Sequence, residues 1–178
     1  MRPTDYYVPA ELTASTGDCD DADAWIKPTT VWYKDTDGDD FGDGTTQVQC
    51  ARPTNYYLST ELTATNTDCN DTNASINPNT IWYKDVDGDD YSDGTSQTQC
   101  TRPSNYFLTA ELTATNGDCD DADANEFPNQ TWYKDVDADD YSDGTSQTQC
   151  TRPSNYYVTS ELTASTGDCD DADANEHP

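Results

Sequence analysis

Ile81-Trp82-Tyr83-Lys84-Asp85-Val86-Asp87-Gly88-Asp89-Asp90-Tyr91-Ser92-Asp93-Gly94 holds two kinds of chemistry in one run. Its head is β-branched and aromatic, the composition of a short strand. Its tail places carboxylates at 85, 87 and 89 and a fourth at 93. The run recurs at 31–44 and 131–144, so the period is 50 residues with no insertion or deletion. Internal repetition at such a period points to an array of small units rather than to one large core.

Working outward, each copy continues in the same way. Thr95-Ser96-Gln97-Thr98-Gln99-Cys100 reads as a second strand, antiparallel to the first. Arg102-Pro103 marks a turn or an edge, Tyr106-Phe107-Leu108 a third short strand, and Asp118-Cys119-Asp120-Asp121-Ala122-Asp123 a second acidic cluster. One helical turn capped by Asp118 or Asp120 is expected there. Prolines at 28, 78, 128 and 178 close the copies, which divides the chain into a partial unit, 1–28, and three full units, 29–78, 79–128 and 129–178. That arithmetic suggests a stretch of a longer array, since neither end reads as a capping unit. The expected fold class is mostly irregular with small β elements: an elongated array of 50-residue units stabilised by calcium and disulfides, with short strands and almost no long helix.

Composition agrees with a scaffold whose core is small. Hydrophobic residues are 32% and the net charge is −28, values that would suit a disordered chain, yet aromatics reach 11% and seven cysteines stand at regular positions. Disulfides and metal ions can supply what so small a core cannot. The charge would repel nucleic acid and anionic membrane surfaces. No apolar run approaches the roughly 20 residues of a membrane span. No apolar stretch follows Met1-Arg2-Pro3-Thr4 as a secretory signal would require, so an extracellular or cell-surface location is argued from the cysteines.

Calcium takes six to eight hard oxygen ligands, and alternate carboxylates in a turned loop can converge on one ion. Asp35, Asp37, Asp39 and Asp43 occupy positions 1, 3, 5 and 9 of such a loop, as do Asp85, Asp87, Asp89, Asp93 and Asp135, Asp137, Asp139, Asp143. Position 7 is Phe41, Tyr91 or Tyr141, suited to coordination by the backbone carbonyl while the side chain packs. Position 12 is Thr46, Ser96 or Ser146, so one ligand is missing locally. The second cluster is expected to supply it, with Asp71, Asp121 and Asp171 the leading candidates and Asp18, Asp21, Asp68, Asp118 and Asp168 further ones. The cluster could instead cap a turn; if it binds ions of its own, three loops and four clusters would hold seven. Solvated surface charge is the plainer reading of any acidic run, but three copies in register at ligand spacing are not typical of it. Zinc or copper would want histidine or free thiolate, and the chain has one histidine, His177.

The cysteines alternate at spacings of 31 and 19, from Cys19 to Cys169. Two pairings follow. Cys50–Cys69, Cys100–Cys119 and Cys150–Cys169 keep each bond inside one unit and leave Cys19 to a cysteine outside this segment. Cys19–Cys50 and onward would cross unit boundaries and leave Cys169 alone. The first is expected.

The set Trp82-Tyr83-Lys84-Asp85-Val86-Asp87-Gly88-Asp89, Cys100, Asn105-Tyr106, Asp118-Cys119-Asp120-Asp121-Ala122-Asp123 and Pro128 resembles the bacterial metal-binding-motif repeat of MopE type, whose acidic loop is akin to thrombospondin type 3 repeats. The resemblance covers the full units and the partial one. It implies calcium in the loop, a disulfide of the Cys50–Cys69 kind, and a place in long secreted or surface proteins. The family often has Gly where Asp40, Asp90 and Asp140 stand, and its copper role has no ligand set here.

Among function classes, a calcium-dependent structural stalk, adhesin shaft or fibre is expected, because near-equal copies suit a spacer better than a single special site. Partners would be copies of the chain, end to end or lateral, and surface glycans, for which Asn70-Asp71-Thr72, Asn73-Ala74-Ser75 and Asn129-Gln130-Thr131 offer sequons. The alternative is a calcium-dependent glycan- or protein-binding module using Tyr56, Tyr57 or Trp25, residues that more often pack. An enzyme is not expected, for no nucleophile–histidine set or phosphate loop is present.

Overall fold

The structure is a computed structural model describing residues 3–12, 14 and 17–177. It forms two compact units, Met1–Thr80 and Ile81–Pro178. The first carries the partial repeat and repeat 29–78; the second carries nearly all of repeats 79–128 and 129–178. Each full repeat builds one three-stranded antiparallel sheet with its aromatic strand in the centre. In the first, β1 (Val31–Lys34) lies between β2 (Thr46–Val48) and β3 (Tyr56–Tyr57). In the second, β4 (Ile81–Lys84) lies between β5 (Ser96–Thr98) and β6 (Tyr106–Phe107). In the third, β7 (Thr131–Lys134) lies between β8 (Ser146–Thr148) and β9 (Tyr156–Tyr157). Among the described residues there is no α-helix, only two 3-10 turns, Pro9–Glu11 and Thr109–Glu111. The helical turn expected at the second cluster is a pair of tight turns instead.

One tryptophan per sheet makes the core. Trp32, Trp82 and Trp132 are at most 1% exposed, and each indole N–H donates to the carbonyl of Gln49, Gln99 or Gln149 at 2.8–2.9 Å. A buried ring keeps its polar edge satisfied in this way. A guanidinium covers it: Arg52, Arg102 and Arg152 lie 4.9–5.0 Å from the Trp32, Trp82 and Trp132 rings, and Glu61, Glu111 and Glu161 pair with those arginines. The Arg-Pro-x-Asn-Tyr signature is thus the lid of a one-tryptophan core, a cation–π stack in place of aliphatic packing. Tyr56 is buried, 8% exposed, with its hydroxyl accepting from Gln47 Nε2 (3.1 Å), whereas Trp25 stays 68% exposed.

After the third strand the chain runs back along the acidic loop. Thr113 N–H donates to Asp90 O (2.7 Å), Ser92 N–H to Ala114 O (3.1 Å) and Asp118 N–H to Ser92 O (3.1 Å). Repeats 29–78 and 129–178 make the same three bonds through Thr63, Gly42, Asp68 and Thr163, Ser142, Asp168. This ladder carries the second cluster to the loop end of the sheet.

The disulfides correct the expected pairing. Cys19 is bonded to Cys50 and Cys119 to Cys150, with Cα–Cα distances of 5.3 and 5.8 Å; Cys69 and Cys100 are disulfide-bonded too, and Cys169 is free and exposed. Bonds of the Cys50–Cys69, Cys100–Cys119 and Cys150–Cys169 kind are therefore not formed, and Cys19 finds its partner inside the chain. Strand direction is the reason. β8 runs back along β7, so Gln149 N–H meets Gln130 O at 3.0 Å and Cys150 ends at the entrance of the sheet. Cys169 follows Asp168, which is tied to Ser142 at the opposite end. Four strand residues separate the two ends by roughly 13 Å, beyond the ~7 Å that a disulfide spans. The entrance of the first sheet instead meets the acidic cluster of residues 18–23, through Cys19–Cys50, and that of the third sheet the cluster of repeat 79–128, through Cys119–Cys150.

Candidate metal centre

Asp35, Asp37 and Asp39 bring carboxylate oxygens within 4.8 Å of one another, as do Asp85, Asp87, Asp89 and Asp135, Asp137, Asp139. A cation with ligand distances of ~2.4 Å bridges oxygens up to about 4.8 Å apart. The loop is wound around position 1. Asp85, only 2% exposed, accepts Gly88 N–H (2.7 Å) and Asp90 N–H (3.2 Å), one on each oxygen. Asp35 and Asp135 do the same at equal distances. A carboxylate oxygen retains a second lone pair after accepting one N–H, so this folding role leaves position 1 able to bind a cation.

Two left-handed residues make the winding possible. Position 6, Asp40, Asp90 or Asp140, has φ of 69–70°, which Asp tolerates better than most residues. Position 4 has φ of 79–80° at Gly38 and Gly88, but in the third repeat it is Ala138 at 63°. That alanine carries the strain a left-handed L-residue incurs.

The next two positions are unsatisfied. Asp89 accepts Tyr91 N–H at 2.8 Å on one oxygen, and its other oxygen is buried with no partner. Both oxygens of Asp37 and of Asp137 are buried and bare, as is Oδ2 of Asp87. Burial pushes Asp89 up to about 6, assisted by the charges of Asp87, Asp118 and Asp85 against the bond from Tyr91. Burial likewise raises Asp37, Asp87 and Asp137.

The second cluster adds a bare carboxylate oxygen beside the trio, at Asp118 rather than at the leading candidate Asp121. Asp118 accepts Asp120 N–H with Oδ1 (3.2 Å), while its Oδ2 is buried without a partner, and its charge acts on Asp85, Asp87 and Asp89. Asp68 and Asp168 are placed alike, each with a bare Oδ2. The leading candidates, Asp71, Asp121 and Asp171, turn away as buckles. Each ion-pairs with the lysine ending the central strand, Lys34, Lys84 or Lys134, and accepts the backbone N–H of position 2 at 2.8–3.0 Å. A full cation and a free N–H outcompete a crowd of like charges.

The position-9 aspartates are not drawn in either. Asp43, Asp93 and Asp143 accept the N–H of Thr45, Thr95 or Thr145 at 2.6–2.7 Å and face Lys34, Lys84 or Lys134. The Thr95 and Thr145 bonds hold Asp93 and Asp143 below the usual carboxylate range. Asp18 and Asp21 are exposed. Among the described residues the clusters form no groups of their own, so the candidate sites number three, not seven. Position 7 packs as expected: Tyr91 stacks on Phe127 at 5.4 Å and Tyr141 on His177 at 4.8 Å. Ser92 and Ser142, fully buried, went unnoticed in the sequence; each hydroxyl accepts the N–H of Gly94 or Gly144 at 3.1 Å and closes the loop.

No helix of the described residues is long and apolar enough to cross a membrane, and disulfides of this number belong to an oxidising environment. No family model, curated protein or solved structure matches the chain.

Proposed function

We propose that the chain is an extracellular calcium-binding structural repeat protein, a stalk, shaft or fibre segment with no catalytic role. One observation carries the calcium reading. Among the described residues, eleven buried side-chain oxygens lack any partner, and every one belongs to the positions of Asp37, Asp39 and Asp68 or their repeats. Buried polar groups are normally satisfied, and bare carboxylate oxygens are costly. Charges gathered three times in the same way are what a divalent cation neutralises. The donors are all hard oxygen, which favours calcium over zinc or copper. The likeness to MopE-type repeats supports the same ion. Near-equal repeats with near-equal sites support a spacer whose length is set by repeat number, and its partners would be further copies of itself and surface glycans.

The test is removal of the ion. EDTA should abolish the near-UV circular dichroism of the tryptophan stacks, and calcium should restore it where magnesium does so poorly. A spectrum indifferent to EDTA would refute the reading. A binding-module reading is favoured by one feature alone: exposed Trp25 lies over a shallow groove of about 310 Å³ with Lys27, Tyr33 and Leu58. Retention on a glycan array that is lost in Trp25→Ala would support it.

A further inference from the structure

Asp118 is followed directly by Cys119, and the two residues serve different structures. The Asp118 N–H donates to Ser92 O (3.1 Å) at the end of the acidic loop of its own repeat, and its Oδ2 is buried there without a partner. Cys119 is bonded to Cys150 in the next repeat, and both repeats lie within the unit Ile81–Pro178. Two more contacts meet there: Cys119 N–H donates to Glu126 O (3.1 Å), and Glu126 Oε1 accepts Arg152 N–H (2.9 Å). Arg152 is the guanidinium over Trp132. The loop site, the disulfide and the neighbouring core therefore share one short segment, 118–126.

The chain contains its own contrast. Cys19–Cys50 is the same kind of joint, but residues 1–28 hold no acidic loop, and Asp18 is exposed where Asp118 is half-buried with a bare oxygen. The burial of Asp118 follows from the loop beside it. Without a cation, its charge and those of Asp85, Asp87 and Asp89 repel, loosening the segment that carries Cys119. With one, the same four groups are drawn together.

We propose that Asp118 is a ligand of the cation held by Asp85, Asp87 and Asp89, and that through it the ion locks the joint made by Cys119–Cys150, so that ion and disulfide stabilise each other. This rests on the calcium reading above and deepens it: the ion acts on the connection between repeats as well as on the loop. Asp68 and Asp168 occupy the corresponding place in their repeats. Linkage makes the effect reciprocal.

Disulfide reduction in the full oxidised chain tests this. Dithiothreitol gives up two electrons and two protons, becoming its cyclic disulfide, while a cystine becomes two thiols. The thiols are alkylated at intervals and mapped by peptide mass, in saturating calcium and in EDTA, with bound calcium measured separately by equilibrium dialysis. Calcium should slow reduction of Cys119–Cys150 about tenfold, within the usual range of such couplings, and that of Cys19–Cys50 by less than about twofold. Asp118→Asn keeps the oxygen that accepts Asp120 N–H and should lose the protection of Cys119–Cys150 while the other two sites still bind. Equal effects at both bonds, or protection retained in Asp118→Asn, would overturn the joint while leaving calcium binding intact. No calcium bound at all would overturn the calcium reading and the joint with it.

Discussion

The loop at 85–93 and the cluster at 118–123 each carry four or more aspartates, and the structure uses them in opposite ways. In the cluster, Asp120 accepts Ala122 N–H (3.1 Å), Asp123 accepts Asn125 N–H (3.1 Å) and Asp121 is buckled to Lys84. Each of those carboxylates has a donor. In the loop, Asp85 is satisfied by backbone N–H groups, but Asp87 and Asp89 each keep a bare buried oxygen. Acid content therefore does not mark a metal site; a shortage of donors around buried acids does. Asp118 shows the boundary, with one oxygen serving the cluster's turn and the other buried without a donor.

The sharpest way to break this comparison is to truncate one residue on each side. Asp87→Ala should eliminate one of three calcium-binding events in titration calorimetry, leaving the other two within about twofold, since repeats couple mainly to their neighbours. Asp123→Ala should leave all three events and cost only about 1–2 kcal/mol of stability for the two bonds lost from Asn125. Loss of every event in Asp87→Ala would mean the sites form one cooperative unit.

Acid should separate the regions next. Asp89 is raised to about 6 from an ordinary 3.8, so between those values the folded, ion-free protein binds more protons than the unfolded chain. Stability then falls as pH rises through that window. Asp37 and Asp87 are shifted in the same direction. The ion-free protein should accordingly melt higher at pH 5 than at pH 7, and the calcium-loaded protein lower, because protons compete for the ligands. Thermal melts at the two pH values with and without EDTA check both signs. A melting point that falls on acidification in EDTA would show that the loop acids are not crowded.

The smallest effect sharpens the loop itself. Ala138→Gly relieves a left-handed alanine at a position where an added Cβ meets nothing in the equivalent Gly38 and Gly88. It should stabilise repeat 129–178 by up to about 1 kcal/mol and bring its calcium affinity closer to that of its neighbours. Gly88→Ala should do the reverse in repeat 79–128, measured by the same titration.

Much of this was legible in the sequence. The period is read directly from repetition, and the strand Ile81–Lys84, the convergence of Asp85, Asp87 and Asp89 and the inward packing of Tyr91 depend on residues within about ten positions of each other, where local chain geometry fixes what such neighbours can do. The partner of Cys150, the placing of Asp118 beside the trio and the lysine that claims Asp121 were not legible. Each joins residues some thirty or more positions apart, and each depends on which end of the sheet a returning strand reaches. Spacing allows Cys150 to be assigned to Cys169 as readily as to Cys119. Only the antiparallel return of β8 along β7 carries Cys150 to the entrance of its sheet, while the ladder from Asp140 to Asp168 takes Cys169 to the exit. Charge alone makes Asp118 and Asp121 equivalent. The place of Lys84 at the end of β4 takes one of them as a buckle and leaves the other with a bare buried oxygen.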